Sequence, residues 1–227
     1  MPTILLARHG QGSFGGANYD VLSPLGREQA QILAGEVARR GVRIDRVIAG
    51  SLQRQRDTAA PVAAAAGLQL EIDPRWNEYD ADDVLTHHSA SAVRDSRPEG
   101  SDAPPVTSEE FQDAIEEGLA AWIAAGAAST AAERWPQFAG RVRAALEDAA
   151  ASLGSGETVL VATSGGVIAS VCTALLGLPD QALMTFNRVS INAGLTKVVA
   201  GRRGFTLVSY NDHAHLEGSD RALVTYR

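Results

Sequence analysis

Short apolar segments alternate with longer segments of helical periodicity along most of the chain. The segments 3–7 (TILLA), 45–50 (DRVIAG) and 158–163 (TVLVAT) are mainly apolar, which is typical of strands buried on both faces of a parallel sheet. Between the first two, Ser23 suits a helix N-cap and Pro24 the first helical position, ahead of apolar residues that repeat every three or four positions. This pattern predicts a strand–helix–strand unit.

The rest of the chain continues the alternation. A second helix is predicted from about Leu52, with Pro61 kinking or splitting it, and a short strand follows at residues 68–73. Further helices are predicted after Thr107, which forms a capping-box pattern with Glu110, then over 133–154 and from the glycine pair at 165 and 166. The two segments around residues 201–204 (GRRG) indicate a hairpin that gives the sheet an antiparallel edge.

These elements predict one α/β domain over residues 1–227, a three-layer sandwich with a mostly parallel sheet. Residues 80–130 are expected to form a helical cap. Within them the stretch 89–107 is rich in Ser, Pro, Gly and Asp, so a loop or an inserted lid segment is expected there. Leu119 and Trp122 share one helical face with other apolar residues, which favours core packing over a ligand site.

Charge and cysteine content narrow the classes of function. The formal net charge of −7 argues against a nucleic-acid partner, because such affinity needs clustered Lys and Arg. The one cysteine, Cys172, excludes an internal disulfide and a four-cysteine metal site, and it suits a reducing compartment, so a cytoplasmic location is expected. The apolar run 3–7 is too short for a signal-peptide core and no segment approaches membrane length, so no membrane partner is expected.

Candidate chemistry collects where the predicted strands end, since ligands of open α/β sheets bind at the carboxyl ends of the strands. Arg8, His9 and Gly10 follow the first strand. Alone they are a weak indication, because such residues are common in loops. A neutral, oriented imidazole is nevertheless a competent nucleophile toward phosphorus, and a glycine lets backbone N–H groups approach an anion closely.

Two other strand ends extend this hypothesis of phosphoryl transfer. Arg54 follows the second strand, and its guanidinium, like that of Arg8, can bind two phosphate oxygens at once. Arg56 lies two residues further on, on a different helical face, and is expected to be a solvated charge. Glu78 follows the third strand and can protonate a leaving group if burial raises its pKa, although spacing alone favours a solvated loop carboxylate.

Ordered motifs along nearly the whole chain resemble the histidine phosphatase superfamily, which contains the phosphoglycerate mutase-like phosphatases. They are LLARHGQ (5–11), LSPLGREQA (22–30), GSLQRQRDTA (50–59), WNEYD (76–80), VLVATSGGVIA (159–169), and NAGLTKVV (192–199) with YNDHAHL (210–216). The resemblance implies a phosphoglycerate mutase-like fold. It also implies that His9 becomes phosphohistidine, that Arg8 and Arg54 bind the phosphoryl group, and that Glu78 is the general acid and then the base. No metal or organic cofactor is implied.

Ser164 departs from the family pattern, which normally carries a second histidine here. A hydroxyl can donate to an oxyanion but brings no positive charge, and losing one preorganised donor costs roughly 100- to 1000-fold in rate. Ser164 and Gly165 still begin a predicted helix, where N–H groups and the helix dipole favour phosphate. Ser13 and His215 are secondary candidates, for which a turn-forming serine and a structural histidine are the commoner roles.

The sequence thus predicts a phosphomonoester hydrolase that acts through a phosphohistidine on a small phosphorylated metabolite, slowed by Ser164. The alternative is a catalytically weakened member that binds a phosphorylated ligand or a protein partner through the same pocket. Phosphoglycerate mutase activity is disfavoured, because Phe14 and Gly15 stand where the mutases carry a tryptophan and an asparagine. The substrate is not predicted, and the oligomeric state is left open, with a homodimer among the possibilities.

Overall fold

A computed structural model of the chain describes residues 1–13, 20–89, 108–218 and 221–226, and only the backbone of 108–112 and 221. The predicted loop or lid at 89–107, except Ser89, lies outside the described residues, as do Thr107 of the capping box and the pair Phe14 and Gly15.

Six strands form one sheet in the order β3-β2-β4-β1-β5-β6. Their bounds are β1 Thr3–Arg8, β2 Arg46–Ala49, β3 Leu70–Ile72, β4 Thr158–Thr163, β5 Leu195–Gly201 and β6 Gly204–Asp212. The first four pair in parallel, and the hairpin forms the predicted antiparallel edge. The strand that runs against the others is β5, because β6 at the rim reverses the direction once more.

In the described part of the chain, seven α-helices connect and flank the strands. They are α1 Pro24–Arg39, α2 Gln53–Ala66, α3 Ala81–His88, α4 Ser108–Ala125, α5 Trp135–Ala151, α6 Gly165–Leu175 and α7 Leu183–Val189. The predicted start of α1 is confirmed, since the Ser23 hydroxyl accepts from the Gly26 N–H at 3.0 Å. Pro61 does not split α2, which continues past it to a left-handed Gly67. The short helices α3 and α7 were not predicted.

The three-layer prediction is confirmed by how the strands divide their side chains. Ile4 and Leu6 of β1 pack on the face covered by α4, α5 and α6, whereas Leu5 and Ala7 pack on the face covered by α1 and α2. Strands buried on both faces therefore read as continuously apolar in the sequence.

Residues 81–88 and 108–125 are α-helical and 126–128 form a 3₁₀ turn, but α4 does not stand apart from the core. Leu119 and Trp122 are buried in the same cluster as α5 and α6, which confirms their predicted packing role. The cap at 80–130 stays a prediction. Among the described residues, no helix combines the length and apolar character that crossing a membrane requires.

The topology brings four strand ends to one edge of the sheet. β1, β2, β3 and β4 are neighbours in the parallel part, so their carboxyl ends all point to the same side. The residues that follow these strands begin α2 and α6 or the loop after β3, and they form the candidate site described next.

Candidate active site

His9 lies directly after β1, and three hydrogen bonds hold the backbone of His9 and Gly10. Its N–H donates to the Thr163 carbonyl of β4 at 2.8 Å, and its own carbonyl accepts from the side-chain amide of Asn192 at 3.0 Å. The N–H of Gly10 donates to Thr58 Oγ1 at 3.0 Å. These contacts, to three elements distant in sequence, fix the turn that carries the imidazole.

The hydrogen bonds of the His9 ring define its tautomer. Nδ1 lies 2.7 Å from the Gly10 carbonyl, which only accepts, so Nδ1 carries the proton. Nε2 accepts from Arg54 Nε at 3.2 Å, so it bears the lone pair. Burial, and then the charges of Arg54 and Arg8, hold the pKa of His9 well below its usual range. The imidazole is therefore neutral at neutral pH with Nε2 as its nucleophilic atom.

Arg54 is oriented by Asp20, a residue for which the sequence gave no indication. The Asp20 carboxylate accepts from Arg54 Nη1 at 2.8 Å and from the backbone N–H of Gln53 at 2.9 Å, so it both caps α2 and holds the guanidinium. The Arg54 side chain is only 10% exposed, whereas Arg56 is exposed, as its helical position predicted. The two arginines thus differ as the sequence analysis expected.

Arg8 approaches the first turn of α6. Its Nη1 donates to the carbonyls of Ser190 and of Tyr226, the latter at 2.8 Å. A Cβ on Gly165 would lie 3.4 Å from Arg8 Nε and 2.5 Å from Asn187 Oδ1. Gly165 therefore matters because it lets these side chains approach the helix N-terminus.

Glu78 is half-buried beside the same helix start. Its Oε2 accepts from the Gly166 N–H at 2.9 Å, and a Cβ on Gly166 would lie 2.4 Å from Glu78 Oε1, so only glycine permits the contact. Burial raises the pKa of Glu78, although the Gly166 N–H and the charges of Arg54 and Arg8 act against that effect. Glu78 is thus half-buried and bonded to the start of α6, whereas spacing alone had favoured a solvated carboxylate.

The loop that carries Glu78 is held by α5, which covers the same face of the sheet as α6. Arg141 of α5 donates to the carbonyls of Arg75 at 2.8 Å and of Asn77 at 2.7 Å, and it pairs with Glu133 at 2.6 Å. Tyr79 packs into the aromatic core, with ring centroids 5.7 Å from Trp122. No motif had indicated Arg141, because its partners are backbone atoms.

Ser164 is fully buried and is the N-cap residue of α6. Its Oγ accepts from Gln55 Nε2 at 2.8 Å, a contact between the first turn of α2 and the end of β4. Gln55 had not been singled out from the sequence, since it lies inside the motif that supplies Arg54.

Gly10 makes a close backbone contact that the sequence did not indicate. A Cβ at Gly10 would lie 2.3 Å from the Gly26 carbonyl, and a Cβ at Gly26 would lie 2.1 Å from the Gln11 carbonyl. The two glycines let the turn after β1 pack directly on α1. Gly10 therefore permits close packing of protein backbone, whereas the sequence analysis expected it to admit an anion.

The secondary candidates His215 and Ser13, and the nearby His213, bond residues other than His9. His215 Nε2 is 3.1 Å from the Ala193 carbonyl, and the Ala193 N–H donates in turn to the Arg8 carbonyl at 3.0 Å. His213 Nε2 lies 3.2 Å from Glu217 Oε1. The Ser13 N–H donates to the Val21 carbonyl at 2.8 Å, next to the antiparallel bridge between Gly12 and Leu22. These contacts agree with structural roles.

The arrangement combines a neutral imidazole, a carboxyl group with raised pKa and two guanidinium groups at one sheet edge. Such a set suits nucleophilic attack on phosphorus, stabilisation of phosphoryl charge and protonation of a leaving oxygen. Among the described residues, no cluster of three or more His, Cys, Asp or Glu side chains could hold a metal ion.

Comparison with known proteins identifies the family that this chain matches. The sequence model of the histidine phosphatase superfamily (branch 1) matches residues 4–213. A probable phosphoglycerate mutase of Yersinia enterocolitica is 27% identical over 229 aligned positions, which cover 96% of each chain.

Solved structures with the same fold are more distant in sequence. Bacillus stearothermophilus YhfR superposes with a TM-score of 0.69 at 20% identity, over 96% of this chain and all of the other (100%). A mycobacterial glucosyl-3-phosphoglycerate phosphatase gives a TM-score of 0.65 at 24% identity, over 92% of this chain and 98% of the other. A phosphoserine phosphatase variant of Entamoeba histolytica gives 0.60 at 18% identity, over 95% and 100%.

Proposed function

This chain belongs to the histidine phosphatase superfamily, and on that basis we propose that it hydrolyses phosphomonoesters through a phosphohistidine at His9. The observation that carries the proposal is the state of the His9 ring. Its proton is held on Nδ1 by the Gly10 carbonyl, so the lone pair of Nε2 faces the guanidinium of Arg54. An anion drawn to that guanidinium would meet the nucleophilic atom.

In the first half-reaction, the phosphoryl oxygens replace His9 Nε2 as acceptors of the Arg54 N–H, and Arg8 and the start of α6 supply further attraction. Nε2 then attacks phosphorus and the bond from phosphorus to the leaving oxygen breaks. Glu78, whose pKa is raised by burial, gives its proton to that oxygen from its protonated form. The products of this step are an alcohol, phosphohistidine and the Glu78 carboxylate.

In the second half-reaction, water enters where the alcohol left. The Glu78 carboxylate takes a proton from this water as its oxygen attacks phosphorus, and the bond from phosphorus to Nε2 breaks. Inorganic phosphate leaves, and both residues return to their starting protonation states. One carboxyl group thus serves as acid and then as base.

The names of the relatives suggest which substrates to assay first. Their printed names refer to phosphoglycerate, glucosyl-3-phosphoglycerate and phosphoserine, all small organic acids that carry a phosphate ester. We propose small phosphorylated metabolites of this kind as the substrate class. We expect hydrolysis to prevail over mutase activity because of Phe14 and Gly15.

A second candidate function rests on Ser164. Its hydroxyl stands in place of an imidazole, so the site has one positive charge fewer than the family pattern provides. A member that binds a phosphorylated ligand and turns it over very slowly would have this composition. The test below separates the two functions.

The test compares wild type, His9→Ala and Ser164→His with an aryl phosphate, measuring turnover and acid-labile phosphoenzyme. Turnover in wild type that is lost in His9→Ala supports the hydrolase. No turnover in wild type, with a gain in Ser164→His, supports the weakened binder. Activity that survives in His9→Ala contradicts the nucleophile assignment, and His87→Ala, a histidine on α3, is the matched control.

A further inference from the structure

Gln55 is a fully buried polar residue that the proposed mechanism does not use. It follows Arg54 in the first turn of α2, and its Nε2 lies 2.8 Å from Ser164 Oγ and 3.1 Å from the Trp76 carbonyl oxygen. The carbonyl of Trp76 only accepts, so the atom facing it must be the amide nitrogen. The orientation of the Gln55 side-chain amide is therefore fixed by chemistry.

This orientation determines the role of the Ser164 hydroxyl. One proton of Nε2 goes to Trp76 and the other to Ser164 Oγ, so Oγ accepts in that bond and keeps its own proton to donate. Ser164 makes no side-chain bond to the first turn of α6, and in the described part of the chain no acceptor receives this proton. The proton is available to an anion at the helix start.

Trp76, Thr163 and Gly50 fix the position of the Gln55 amide. The Trp76 carbonyl also accepts from Thr163 Oγ1 at 2.6 Å, which ties the amide to the end of β4. A Cβ at Gly50, directly after β2, would lie 1.9 Å from Gln55 Oε1. The absence of a side chain at Gly50 therefore makes room for Gln55. The amide is thus held in one position.

Holding Gln55 in this position is unfavourable for folding. Its Oε1 is buried and has no hydrogen-bond partner among the described residues, whereas nearly all buried side-chain polar atoms have one. A methionine has nearly the same shape and would leave no acceptor unmatched there. The amide is better explained by its effect on Ser164 than by stability.

We propose that Gln55 is a positioning residue that commits the Ser164 hydroxyl to donate a hydrogen bond to the phosphoryl group during transfer. The inference rests on the proposed function. Two neutral side chains would then supply one of the hydrogen bonds that stabilise the phosphoryl oxygens. Neither titrates near neutral pH, so this donor stays available over the whole working range.

The test uses the full chain with Gln55→Met, Ser164→Ala and the double variant, with Gln53→Met as the matched control. Gln53 lies in the same turn of α2, but its side chain bonds Asp57 and not Ser164. The measurements are the rate of phosphoenzyme formation in a single turnover with an aryl phosphate, the affinity for orthovanadate by calorimetry, and the thermal midpoint.

We expect Ser164→Ala to slow phosphoenzyme formation about 100-fold and Gln55→Met about tenfold, both with weaker vanadate binding. The double variant should be no slower than Ser164→Ala, because Gln55 acts only through Ser164. The thermal midpoint of Gln55→Met should be equal to or above that of wild type. If the role of Gln55 were merely structural, Gln55→Met would lower the thermal midpoint and leave the vanadate affinity unchanged.

Wild-type rates and vanadate affinity in Gln55→Met contradict the proposal, as does a double variant whose losses multiply. If Gln55→Met fails to fold, Ser164→Ala decides, and wild-type vanadate affinity in that variant overturns the proposal. Vanadate binding needs no turnover, so it tests the pair even if wild type forms no phosphoenzyme. A wild type that forms no phosphoenzyme would refute the proposed function but not the role of Gln55.

Discussion

The turn that carries His9 and the loop that carries Glu78 form two ends of the site; His9 is buried and Glu78 is half-buried, and the two are held in different ways. Burial favours the neutral form of each group, so it lowers the pKa of the histidine and raises that of the glutamate. One physical effect therefore shifts the two pKa values in opposite directions, as the proposed roles of nucleophile and general acid require.

The supports of these two ends differ in kind. His9 extends a central strand, and its turn is bonded to β4, to α2 and to Asn192. Glu78 lies on a loop after the short strand β3 at the sheet edge, where Arg141 holds the backbone and Tyr79 packs into the aromatic core. His9 is positioned by the sheet, whereas Glu78 is positioned by side chains from α4 and α5.

The largest expected effect tests the nucleophile end. Arg54→Ala removes a buried guanidinium that bonds His9 Nε2, so kcat/KM for an aryl phosphate should fall about 1000-fold. Arg56→Ala removes an exposed arginine from the same turn and should retain wild-type kcat/KM. Steady-state kinetics of the two variants measure the difference, and equal losses would show that general charge, not Arg54, matters.

A smaller effect is expected at the acid end, and it depends on the leaving group. Glu78→Gln keeps the shape but has no proton to give, so kcat/KM should fall about 100-fold with an alkyl phosphate. Aryl oxides leave more easily without protonation, so the loss with an aryl phosphate should be clearly smaller. Similar losses with both substrates would contradict the acid role of Glu78.

The pH dependence follows from the two shifts. The pKa of Glu78 is raised, so its proton is lost as pH rises through the folded value, and kcat/KM should then decline by up to about tenfold per pH unit. The pKa of His9 is lowered, so protonation stops attack only in acid. Profiles for wild type and Glu78→Gln with an alkyl phosphate should differ by loss of the Glu78 limb; identical profiles would refute this assignment.

The smallest effect is expected at the support of the acid. Arg141→Leu removes the bonds to the Arg75 and Asn77 carbonyls, which loosens the Glu78 loop and should lower kcat about fivefold with little change in KM. Arg143→Leu, an exposed arginine of the same helix, is the control. An unchanged kcat in Arg141→Leu would show that the loop is held adequately without it.

The sequence was informative where a residue follows a strand. His9, Arg54 and Glu78 were predicted because each follows an apolar segment or lies in a family motif. These features locate the carboxyl edge of the sheet without knowledge of side-chain contacts. The burial of Trp122 followed from helical periodicity alone. Local rules of this kind act over a few residues, which a sequence displays directly.

The unpredicted parts depend on contacts between distant residues. The bond between Gln55 and Ser164 joins positions 109 apart, and that between Asn192 and His9 joins positions 183 apart. The contact of Gly10 with Gly26 was not predicted, because the two glycines meet only after α1 packs on the sheet. No local pattern distinguishes a glycine that admits an anion from one that admits another backbone.

The most direct test of the central claim is to locate the phosphoryl group in the trapped intermediate. Wild type and Glu78→Gln are mixed with an aryl phosphate, quenched in base, digested and examined by mass spectrometry. The account predicts an acid-labile phosphoryl group on His9, with more of it in Glu78→Gln because water attack lacks its base. A phosphoryl group on any other residue, or turnover with none on His9, would contradict the account.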